Sequence, residues 1–491
     1  MSAIVFIDAP TTPEERIGKL SGIVNLSRDR PHIGILILAA IARENGWKTS
    51  VIDPYPFQWS DDEIVAKVRP LKPDIIAISA HTLGIINADR LAALLKDVLP
   101  GTPVIIGGPH VTSVPFETLL EFHNFDVAVI GEAEDTLMEL LDTLITKPTD
   151  ENLGKVKGIA FRSASQKIVV NPRRPFKEDL DSLPMPAWDL LPEYPLRYSP
   201  SLATGSGTRL TGSLFTSRGC PWKCEFCDRG VFGSKYRTFS PKYIMRQILH
   251  LYHNYGVREI MFSDDVIFAD KKRITDLARM LIEAKLDLRW ECMARVIDAD
   301  EKMYQLIRKS GCFEISYGIE SAPDTVSKLI SKPIKQDDVD KAIRITQRAG
   351  IRARGYFIFG LPGHTKETLE LTSRYIMNSG LDDVAIFTCT PYPGSDLYSS
   401  AEKYGVFKRR FNRMNNIETI FVPYGLTEEY IESLRESTMR AFYLNSGFIL
   451  KWTLRYIREN SWKELFRRSR MYTNFHKAIL SEMVSGFGRG A

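Results

Sequence analysis

The sequence predicts an α/β protein with two parallel-sheet domains and a helical C-terminal region. Strand-length apolar runs alternate with amphipathic helical patterns from residue 3 to about residue 400. This alternation is typical of parallel strands joined by crossover helices. A proline-rich stretch at residues 173–195 interrupts it. The length of 491 residues also exceeds that of one ordinary domain.

Composition and cysteine usage narrow the kind of protein. The chain is 44% hydrophobic and 25% charged with a net charge of +5, as expected of a globular chain. Three of its six cysteines fall within eight residues, which favours metal binding in a reducing compartment over a secreted disulfide scaffold. The sequence shows no signal peptide, and no apolar run approaches the ~20 residues of a membrane-spanning helix. We therefore expect a cytoplasmic protein.

The first domain is predicted to span residues 1–145 and to have a flavodoxin-like (Rossmann-type) fold. Helical patterns at 34–45 and 88–99 lie between apolar strand candidates. The strand candidates are residues 3–8, 49–53, 74–79, 104–107 and 126–130. In such an open sheet a ligand lies at the carboxyl ends of the strands.

Small residues follow several of these strand ends. Gly107 and Gly108 follow the fourth strand, Gly131 follows the fifth, and Ser79 ends the third. Glycine at these places lets a large ligand approach the backbone. Taken singly, each of these glycines is better explained as an ordinary turn glycine.

Together, these residues resemble the cobalamin-binding fold, whose pattern is Asp-x-His-x-x-Gly, then Ser-x-Leu, then Gly-Gly. At the family's histidine position this chain has Pro31, with His32 beside it. The resemblance therefore implies a cobalamin without the usual imidazole below the cobalt, with His32 or His81 as alternatives. The residues implied to contact cobalamin are Asp29, His32, Gly34, Ser79, His81, Thr82, Gly107, Gly108, His110, Gly131 and Glu132.

Residues 146–204 are predicted to form an extended linker. A short hairpin at 158–162 and 168–171 precedes the proline-rich stretch. Closely spaced prolines favour an extended chain over a domain.

The most specific motif lies at residues 217–227. Cys220, Cys224 and Cys227 have the spacing Cys-x3-Cys-x2-Cys, and Phe226 precedes the last cysteine. Three thiolates on one loop hold three irons of a 4Fe–4S cube and leave the fourth iron open. A structural zinc site needs four ligands, and the next histidine is the distant His250. The motif therefore favours an open-site cluster over zinc.

Residues 205–400 are predicted to form a partial (β/α)6 barrel. Strand candidates at 213–216, 259–263, 289–294, 314–318, 355–359 and 383–389 alternate with helices that include 241–255, 271–284 and 366–379. Chemistry in such barrels gathers at the carboxyl ends of the strands. Asp264, Asp265, Arg295 and Glu320 fall there. Helix caps, turns or surface ion pairs are the alternative roles for each.

The cysteine motif and the residues after it resemble radical S-adenosylmethionine (SAM) enzymes. The resemblance implies that Phe226 occupies the family's aromatic position and that Asp264 and Asp265 bind the SAM amino group. It also implies that Arg295 binds the SAM carboxylate. The remaining implied contacts are Glu320 and Ser321 at the ribose and Gly360 near the adenine.

The two resemblances together imply a cobalamin-dependent radical SAM enzyme with a 4Fe–4S cluster, SAM and cobalamin. We expect C-methylation of a small molecule through methylcobalamin, and the alternative is oxidation or cyclisation of a tetrapyrrole- or lipid-like substrate. A low-potential donor such as flavodoxin or ferredoxin would supply electrons. A non-enzymatic cobalamin sensor and a methylthiotransferase are weaker hypotheses, the latter because a second cysteine cluster is missing from the sequence.

Three isolated cysteines remain outside the motif. Cys312 is expected in the core, whereas Cys292 and Cys389 lie on strands and are alternative candidates for a cavity thiol. A buried cysteine usually behaves as a small hydrophobic residue.

Residues 401–491 are basic and aromatic, and the helical patterns at 407–414, 451–472 and 474–480 predict a helical cap over the barrel mouth. Peripheral membrane contact is an alternative, and nucleic acid is not expected as a partner. Residues 440–450 resemble the tail of the anaerobic magnesium-protoporphyrin monomethyl ester cyclase group.

Overall fold

The computed structural model describes residues 1–18, 30–198 and 209–459. The N-terminal domain is a seven-stranded sheet in the order β2-β1-β3-β4-β5-β6-β7. Its strands are β1 Ala3–Asp8, β2 Lys48–Ile52, β3 Ile75–Ser79, β4 Val104–Gly107, β5 Val127–Val129, β6 Ile159–Arg162 and β7 Ile168–Val170. The first five are parallel, as predicted for an open α/β sheet.

Helices cover both faces of this sheet. They are α1 Pro13–Ile17, α2 Ile33–Glu44, α3 Asp61–Val68, α4 Ile85–Val98, α5 Pro109–Ser113, α6 Pro115–Glu121, α7 Glu134–Thr146 and α8 Asp150–Leu153. Alternate residues of β1 face opposite sides, so Phe6 packs with α2 and α7 while Ile7 packs with α3 and α4. The carboxyl ends of the parallel strands therefore lie together along one edge of the sheet, which these helices do not cover.

The hairpin assigned to the linker belongs to the first domain instead. Its first strand, β6, pairs antiparallel with β5, and Val127 lies opposite Phe161. Ile159, Ala160 and Phe161 are almost fully buried. An apolar three-residue run of this kind extends the sheet, and the proline-rich segment after β7 leads from it towards the second domain.

The second domain is a six-stranded parallel sheet in the order β8-β11-β12-β13-β14-β15. Its strands are β8 Thr211–Leu214, β11 Glu259–Phe262, β12 Arg289–Ala294, β13 Cys312–Glu320, β14 Arg352–Phe359 and β15 Asp383–Thr388. Two short strands, β9 Ser217–Arg218 and β10 Arg237–Thr238, pair at the base of the cysteine loop. The expected (β/α)6 arrangement is confirmed.

Crossover helices pack outside the barrel strands. They are α9 Pro241–Tyr255, α10 Lys271–Ala284, α11 Glu301–Lys309, α12 Asp324–Leu329, α13 Gln336–Arg348, α14 Lys366–Asn378 and α15 Asp396–Ser400. The limits of α9 follow from its caps: Ser240 accepts a hydrogen bond from the Tyr243 amide, and Gly256 ends the helix in a left-handed conformation.

The apolar core of the second domain lies outside the barrel, between strands and helices. On β12, Trp290 and Cys292 belong to this core, whereas the intervening Glu291 points to the barrel interior. Ile315 and Tyr317 repeat the outward pattern on β13, so the charged side chains of Glu291 and Glu314 lie on the inward side. The inward-facing side chains therefore determine what the barrel can bind.

The C-terminal region is not uniformly helical. Residues 407–414 were predicted to form a helix. Instead, Phe407 ends strand β16 Gly405–Phe407, and Phe411–Arg413 form a short 3-10 turn. The strand β16 pairs with β17 Phe421–Pro423. The adjacent basic residues Lys408, Arg409 and Arg413 form ion pairs with acids of this region, so their sequence pattern reflects local pairing rather than a helix face.

Two helices follow, α16 Glu428–Tyr443 and α17 Ser446–Glu459. Helix α16 packs against α14 and β15 rather than across the barrel mouth, and the Tyr443 hydroxyl donates to the Asp383 carboxylate at 2.7 Å. The predicted helix at 474–480 and most of that at 451–472 lie outside the described residues. Among the helices that the structure describes, none is long and apolar enough to cross a membrane.

Candidate active site between the two domains

The cysteine loop leaves the barrel after β8 and turns back on itself between β9 and β10. Gly219 begins the turn with φ +83°, and a Cβ there would lie 2.3 Å from the Lys235 carbonyl oxygen. Only glycine fits both this backbone conformation and this close approach. The turn places Cys220, Cys224 and Cys227 on one loop, as the spacing predicts.

The three thiols are protonated at neutral pH when no metal is bound. Desolvation raises the pKa of Cys220 and Cys224, and desolvation together with Asp265 raises the pKa of Cys227 to about 12. Iron binding must therefore displace protons from all three. The Cys227 thiol donates to the Asp228 carbonyl at 3.6 Å. Among the described residues, no three histidine, cysteine, aspartate or glutamate side chains are already arranged to hold a metal ion.

Asp264 holds the start of the loop rather than facing a ligand. Its carboxylate accepts hydrogen bonds from the Thr216 amide and hydroxyl and from the Ser217 hydroxyl. Burial raises its pKa to about 6. These hydrogen bonds give Asp264 a structural role, and its contact with the SAM amino group stays a prediction.

Asp265 and Arg295 keep their polar atoms for a ligand. The Arg295 guanidinium lies 3.7 Å from the centre of the Trp222 ring, and within the described chain its buried Nη1 has no hydrogen-bond partner. Asp265 has no hydrogen-bond partner among the described residues either, and its charge acts on Cys220 and Cys227. A carboxylate and a guanidinium beside the cysteines match an ammonium and a carboxylate on one ligand.

Glu320 forms a buried ion pair that no sequence motif revealed. Its carboxylate accepts from Lys332 Nζ at 2.6 Å, and the Lys332 ammonium lies 5.9 Å from the Phe226 ring centre. Glu320 has φ +65°, and a Cβ on Gly318 would lie 2.6 Å from both charged groups. Lys332 was missed because it is twelve residues from its partner, on the turn after α12.

Ser321 and Gly360 also serve the fold. The Ser321 hydroxyl lies 2.9 Å from His364 Nε2, and His364 Nδ1 accepts from the Leu361 amide. Complete burial lowers the pKa of His364 to about 3, so the ring stays neutral. Gly360 has φ +81° and its nearest neighbours are residues of the C-terminal region. The Ser321 hydroxyl is thus engaged in a buried network, and its contact with the ribose stays a prediction.

In the first domain, His32 caps helix α2. Its Nδ1 accepts from the Ile35 amide at 3.2 Å, and its Nε2 lies 3.1 Å from the Ser79 hydroxyl. An accepting Nδ1 leaves the proton of a neutral ring on Nε2, which then donates to Ser79. Both nitrogens are thus engaged, and His32 is not available as a metal ligand in this arrangement. Asp29 lies outside the described residues.

His110 and Thr82 are buried together at the same edge. His110 Nδ1 lies 3.2 Å from the Thr82 hydroxyl, and its ring packs edge-on against Phe411 at 4.9 Å between centroids. Desolvation lowers the pKa of His110 to about 4. His110 therefore joins the 3-10 turn to the first domain.

The glycines at this edge divide into two kinds. A Cβ on Gly108 would lie 2.6 Å from the Ala80 carbonyl oxygen, so this glycine is required by packing. A Cβ on Gly131 would meet no described atom within 4 Å, and one on Gly107 would meet only Val129 at 3.9 Å. Gly34 is exposed beside the His32 ring. Gly107 and Gly131 thus leave an open backbone surface.

Glu132 belongs to an ion-pair network between the domains. Its carboxylate lies 3.1 Å from Arg218 and 2.8 Å from Arg237, and Arg218 also pairs with Glu134 at 2.6 Å. All four side chains are at most 9% exposed. The Glu132 carboxylate is thus paired with two arginines, and the contact of this residue with cobalamin stays a prediction.

A cavity of about 460 Å³ lies between the domains at the carboxyl edge of the first sheet. The first domain contributes Asp8, Ala9, Thr11, Arg16, Tyr55, His81, Thr82, Leu83, Gly84 and Pro109, and the rest of the chain contributes Asp228, Tyr392, Pro393, Met414 and Asn415. Asp228 directly follows Cys227 and accepts from the Ser113 hydroxyl at 2.9 Å. The cysteine loop and the sheet edge therefore share one cavity. The position of Asp8 at a strand end could have identified it from sequence.

The two domains correspond to two known families. Residues 22–141 match the model of the B12 binding domain, and residues 214–376 match that of the radical SAM superfamily. This chain is a B12-binding radical SAM enzyme. Its cofactors are a 4Fe–4S cluster, SAM and cobalamin.

Several known proteins are similar to this chain over most of its length. The enzyme is 29% identical over 423 residues to an uncharacterized methyltransferase of Pyrococcus horikoshii, covering 86% of this chain and 89% of the relative. It is 28% identical to the anaerobic magnesium-protoporphyrin IX monomethyl ester cyclase of Rubrivivax gelatinosus, covering 87% and 76%. The structure of the methyltransferase TsrM from Kitasatospora setae, with cobalamin and cluster bound, superposes with a TM-score of 0.65 at 14% identity. That superposition covers 91% of this chain and 82% of TsrM and shows a shared fold.

The residues of this radical SAM enzyme fit the cofactors chemically. The three thiols of the cysteine loop suit a cluster with one open iron. Arg295 Nη1, which has no hydrogen-bond partner among the described residues, suits a carboxylate ligand beside them. The open backbone at Gly107 and Gly131 leaves room at the edge where ligands of open α/β sheets bind. Cys292, Cys312 and Cys389 are all buried in apolar surroundings.

Proposed function

We propose that the enzyme transfers a methyl group to an unactivated carbon of a small molecule. The observation that supports this most is the shared cavity, where Asp228 beside Cys227 faces His81 on the cobalamin-binding edge. A carbon radical generated at the cluster would arise next to the cobalamin. The methyltransferase relative in Pyrococcus horikoshii, which is similar over most of its length, supports the same activity.

When bound, the cluster and SAM supply a 5′-deoxyadenosyl radical, and cobalamin supplies the methyl group. Cys220, Cys224 and Cys227 would hold the cluster. Asp265 would accept hydrogen bonds from the SAM ammonium, and Arg295, held flat against Trp222, would donate to its carboxylate. These contacts would fix the orientation of the sulfonium beside the cluster.

We propose that cobalamin contacts His81, Thr82, Gly107 and Gly131. His81 is exposed and lines the shared cavity with Thr82, whereas the two glycines leave backbone surface uncovered. Because both His32 nitrogens are hydrogen-bonded, we propose that the lower face of the cobalamin receives no imidazole from His32.

Radical oxidation or cyclisation is the second candidate. The 28% identity to the monomethyl ester cyclase over 433 residues favours it, and that cyclase is named for a tetrapyrrole substrate. The same residues would bind the same cofactors in both reactions. Only the products differ, since methyl transfer yields S-adenosylhomocysteine as well as 5′-deoxyadenosine.

We propose two further partners. Cleavage of SAM needs an external low-potential donor such as flavodoxin or ferredoxin. A contact with a membrane surface is supported by α17, where the apolar side chains of Ile449, Leu450 and Leu454 are exposed.

The test is anaerobic reconstitution with iron, sulfide and cobalamin, followed by SAM and a reductant, with both nucleosides quantified. We expect 5′-deoxyadenosine that is lost in the Cys220→Ala/Cys224→Ala/Cys227→Ala variant. Accompanying S-adenosylhomocysteine supports methylation, and its absence during substrate turnover supports cyclisation. A reconstituted protein without any cluster contradicts the proposal.

A further inference from the structure

The barrel interior contains a layer of paired charges at its lower end. Glu314 lies 3.0 Å from Arg354 and 3.3 Å from Arg352, and Asp383 also pairs with both arginines. At the neighbouring strands, Glu259 pairs with Arg289 at 2.5 Å. These three acids and three arginines close the lower end of the barrel and offset one another's charge.

Glu291 lies next to this layer and is the acid without a partner. Its residue is only 6% exposed, yet its carboxylate forms no hydrogen bond or ion pair with any residue that the structure describes. Glu314, Arg354, Glu259 and Arg30 act on it through space. Desolvation, followed by the neighbouring Glu314, raises its pKa to about 8.

Above Glu291 the interior becomes mixed in character. Met293 is 36% exposed although it lies on a central strand, and Tyr356 and Phe387 are partly exposed inner residues whose rings lie 5.9 Å apart. Ser316 lies opposite Met293 on the adjacent strand. The walls therefore offer aromatic and thioether surface, with Glu291 as the polar group below.

Glu291 and Arg295 face the same interior from one strand. They are four residues apart on or just beyond β12, which corresponds to about 13 Å at roughly 3.3 Å per residue. If SAM occupies Arg295 as proposed, the space between them is where a substrate carbon would meet the radical. Burial favours the neutral form of this carboxyl group, which has no partner among the described residues, and a cationic ligand beside it would stabilise the ionised form.

We propose that the barrel interior binds a substrate with a basic nitrogen, which pairs with Glu291 while the substrate's apolar body contacts Met293, Tyr356 and Phe387. This inference rests on the proposed function and names the substrate class for the barrel interior next to Arg295, the proposed SAM contact. Its physical basis is the buried acid without a described partner, beside a layer in which every other named acid has an arginine partner. A cationic ligand supplies an opposite charge, and Glu291 releases its proton to solvent when the pair forms.

The experiment measures probe binding to the reconstituted holoenzyme without reductant. The probes are 4-phenylbutan-1-amine and the neutral 4-phenylbutan-1-ol, titrated by calorimetry. We expect the wild type to bind the amine at least about tenfold more tightly than the alcohol, because a charge-assisted pair replaces a neutral hydrogen bond. Glu291→Gln should abolish this preference, whereas Glu283→Gln, on the exposed side of α10, should retain it.

Equal binding of the two probes to the wild type, or an unchanged preference in Glu291→Gln, overturns the inference. Circular dichroism tests whether Glu291→Gln folds, and Glu291→Asp, which keeps the charge, should retain part of the preference. Reductant is then added to the same samples. If 5′-deoxyadenosine forms but the amine is not preferred, only the substrate class is wrong. If no 5′-deoxyadenosine forms, the proposed function fails separately.

Discussion

Several polar residues near the cluster differ in which of their atoms remain available. Asp264 and Ser321 have all their useful atoms bonded within the protein, whereas Arg295 and Asp265 do not. Sequence spacing places all four at carboxyl strand ends, but it cannot show which ones find protein partners. The availability of hydrogen-bonding atoms therefore separates ligand contacts from structural contacts at this scale.

Arg295→Lys tests the ligand role of the guanidinium. The change keeps the charge but loses the planar fork and the stack on Trp222. We expect the Kd for SAM, measured by equilibrium dialysis, to rise about tenfold, which corresponds to about 1.4 kcal/mol. The control is Arg279→Lys on the surface of α10, where the pair with Asp276 is exposed and SAM binding should not change.

His364 predicts a pH dependence of stability. Its folded-state pKa is lowered to about 3 from a usual 6.5 by burial. Between these values the unfolded chain binds a proton that the folded protein does not, so stability is lost as pH falls below 6.5. Denaturant titrations at several pH values should show a smaller acid loss in His364→Asn, which keeps an acceptor for the Leu361 amide. An equally steep loss in this variant contradicts the assignment.

At the scale of elements, the limits of most strands and helices were predictable, because capping and turn residues next to them in the sequence mark where they begin and end. Helix α9 begins after Ser240 and ends before Gly256, and the cysteine spacing marked its loop. The placement of β6 beside β5 was not predictable, since a short apolar hairpin does not reveal which sheet edge accepts it. Lys332 and Arg218 were missed for a similar reason, because their partners come from other elements.

Gly219→Ala tests the loop as an element. The added Cβ would lie 2.3 Å from the Lys235 carbonyl oxygen, in a backbone region unfavourable to side chains. We expect loss of iron incorporation together with destabilisation of more than about 2 kcal/mol. Gly46→Ala is the matched control, because it has φ +84° but no atom within 4 Å. It should cost about 1 kcal/mol and leave the iron content unchanged.

At the scale of the whole molecule, buried charges join the two domains. Arg218, two residues before the first cluster cysteine, pairs with Glu132 and Glu134 at the start of α7. The cluster loop is thereby fixed directly to the cobalamin-binding domain. Sequence could not predict this joint, because it showed the two domains but not which residues meet across their interface.

Glu132→Gln tests this joint. Removing the carboxylate leaves Arg237 and part of Arg218 buried without an opposite charge, which typically costs about 3–5 kcal/mol. We expect the thermal unfolding midpoint to fall. We also expect cobalamin to be lost during gel filtration, as measured by its absorbance. Glu139→Gln removes a half-exposed partner of Arg174 instead. It should change stability by less than about 1 kcal/mol and retain cobalamin.

The layer of ion pairs at the lower end of the barrel has a kinetic consequence. Within the part of the chain that the structure describes, Glu314 and Asp383 with their arginines fill that end. On the substrate site proposed above, this filled end leaves the upper end, beside Arg295, as the route that we expect ligands to take. We therefore expect the substrate to bind before SAM and the spent nucleoside to leave before the product. Product-inhibition kinetics would reveal this order.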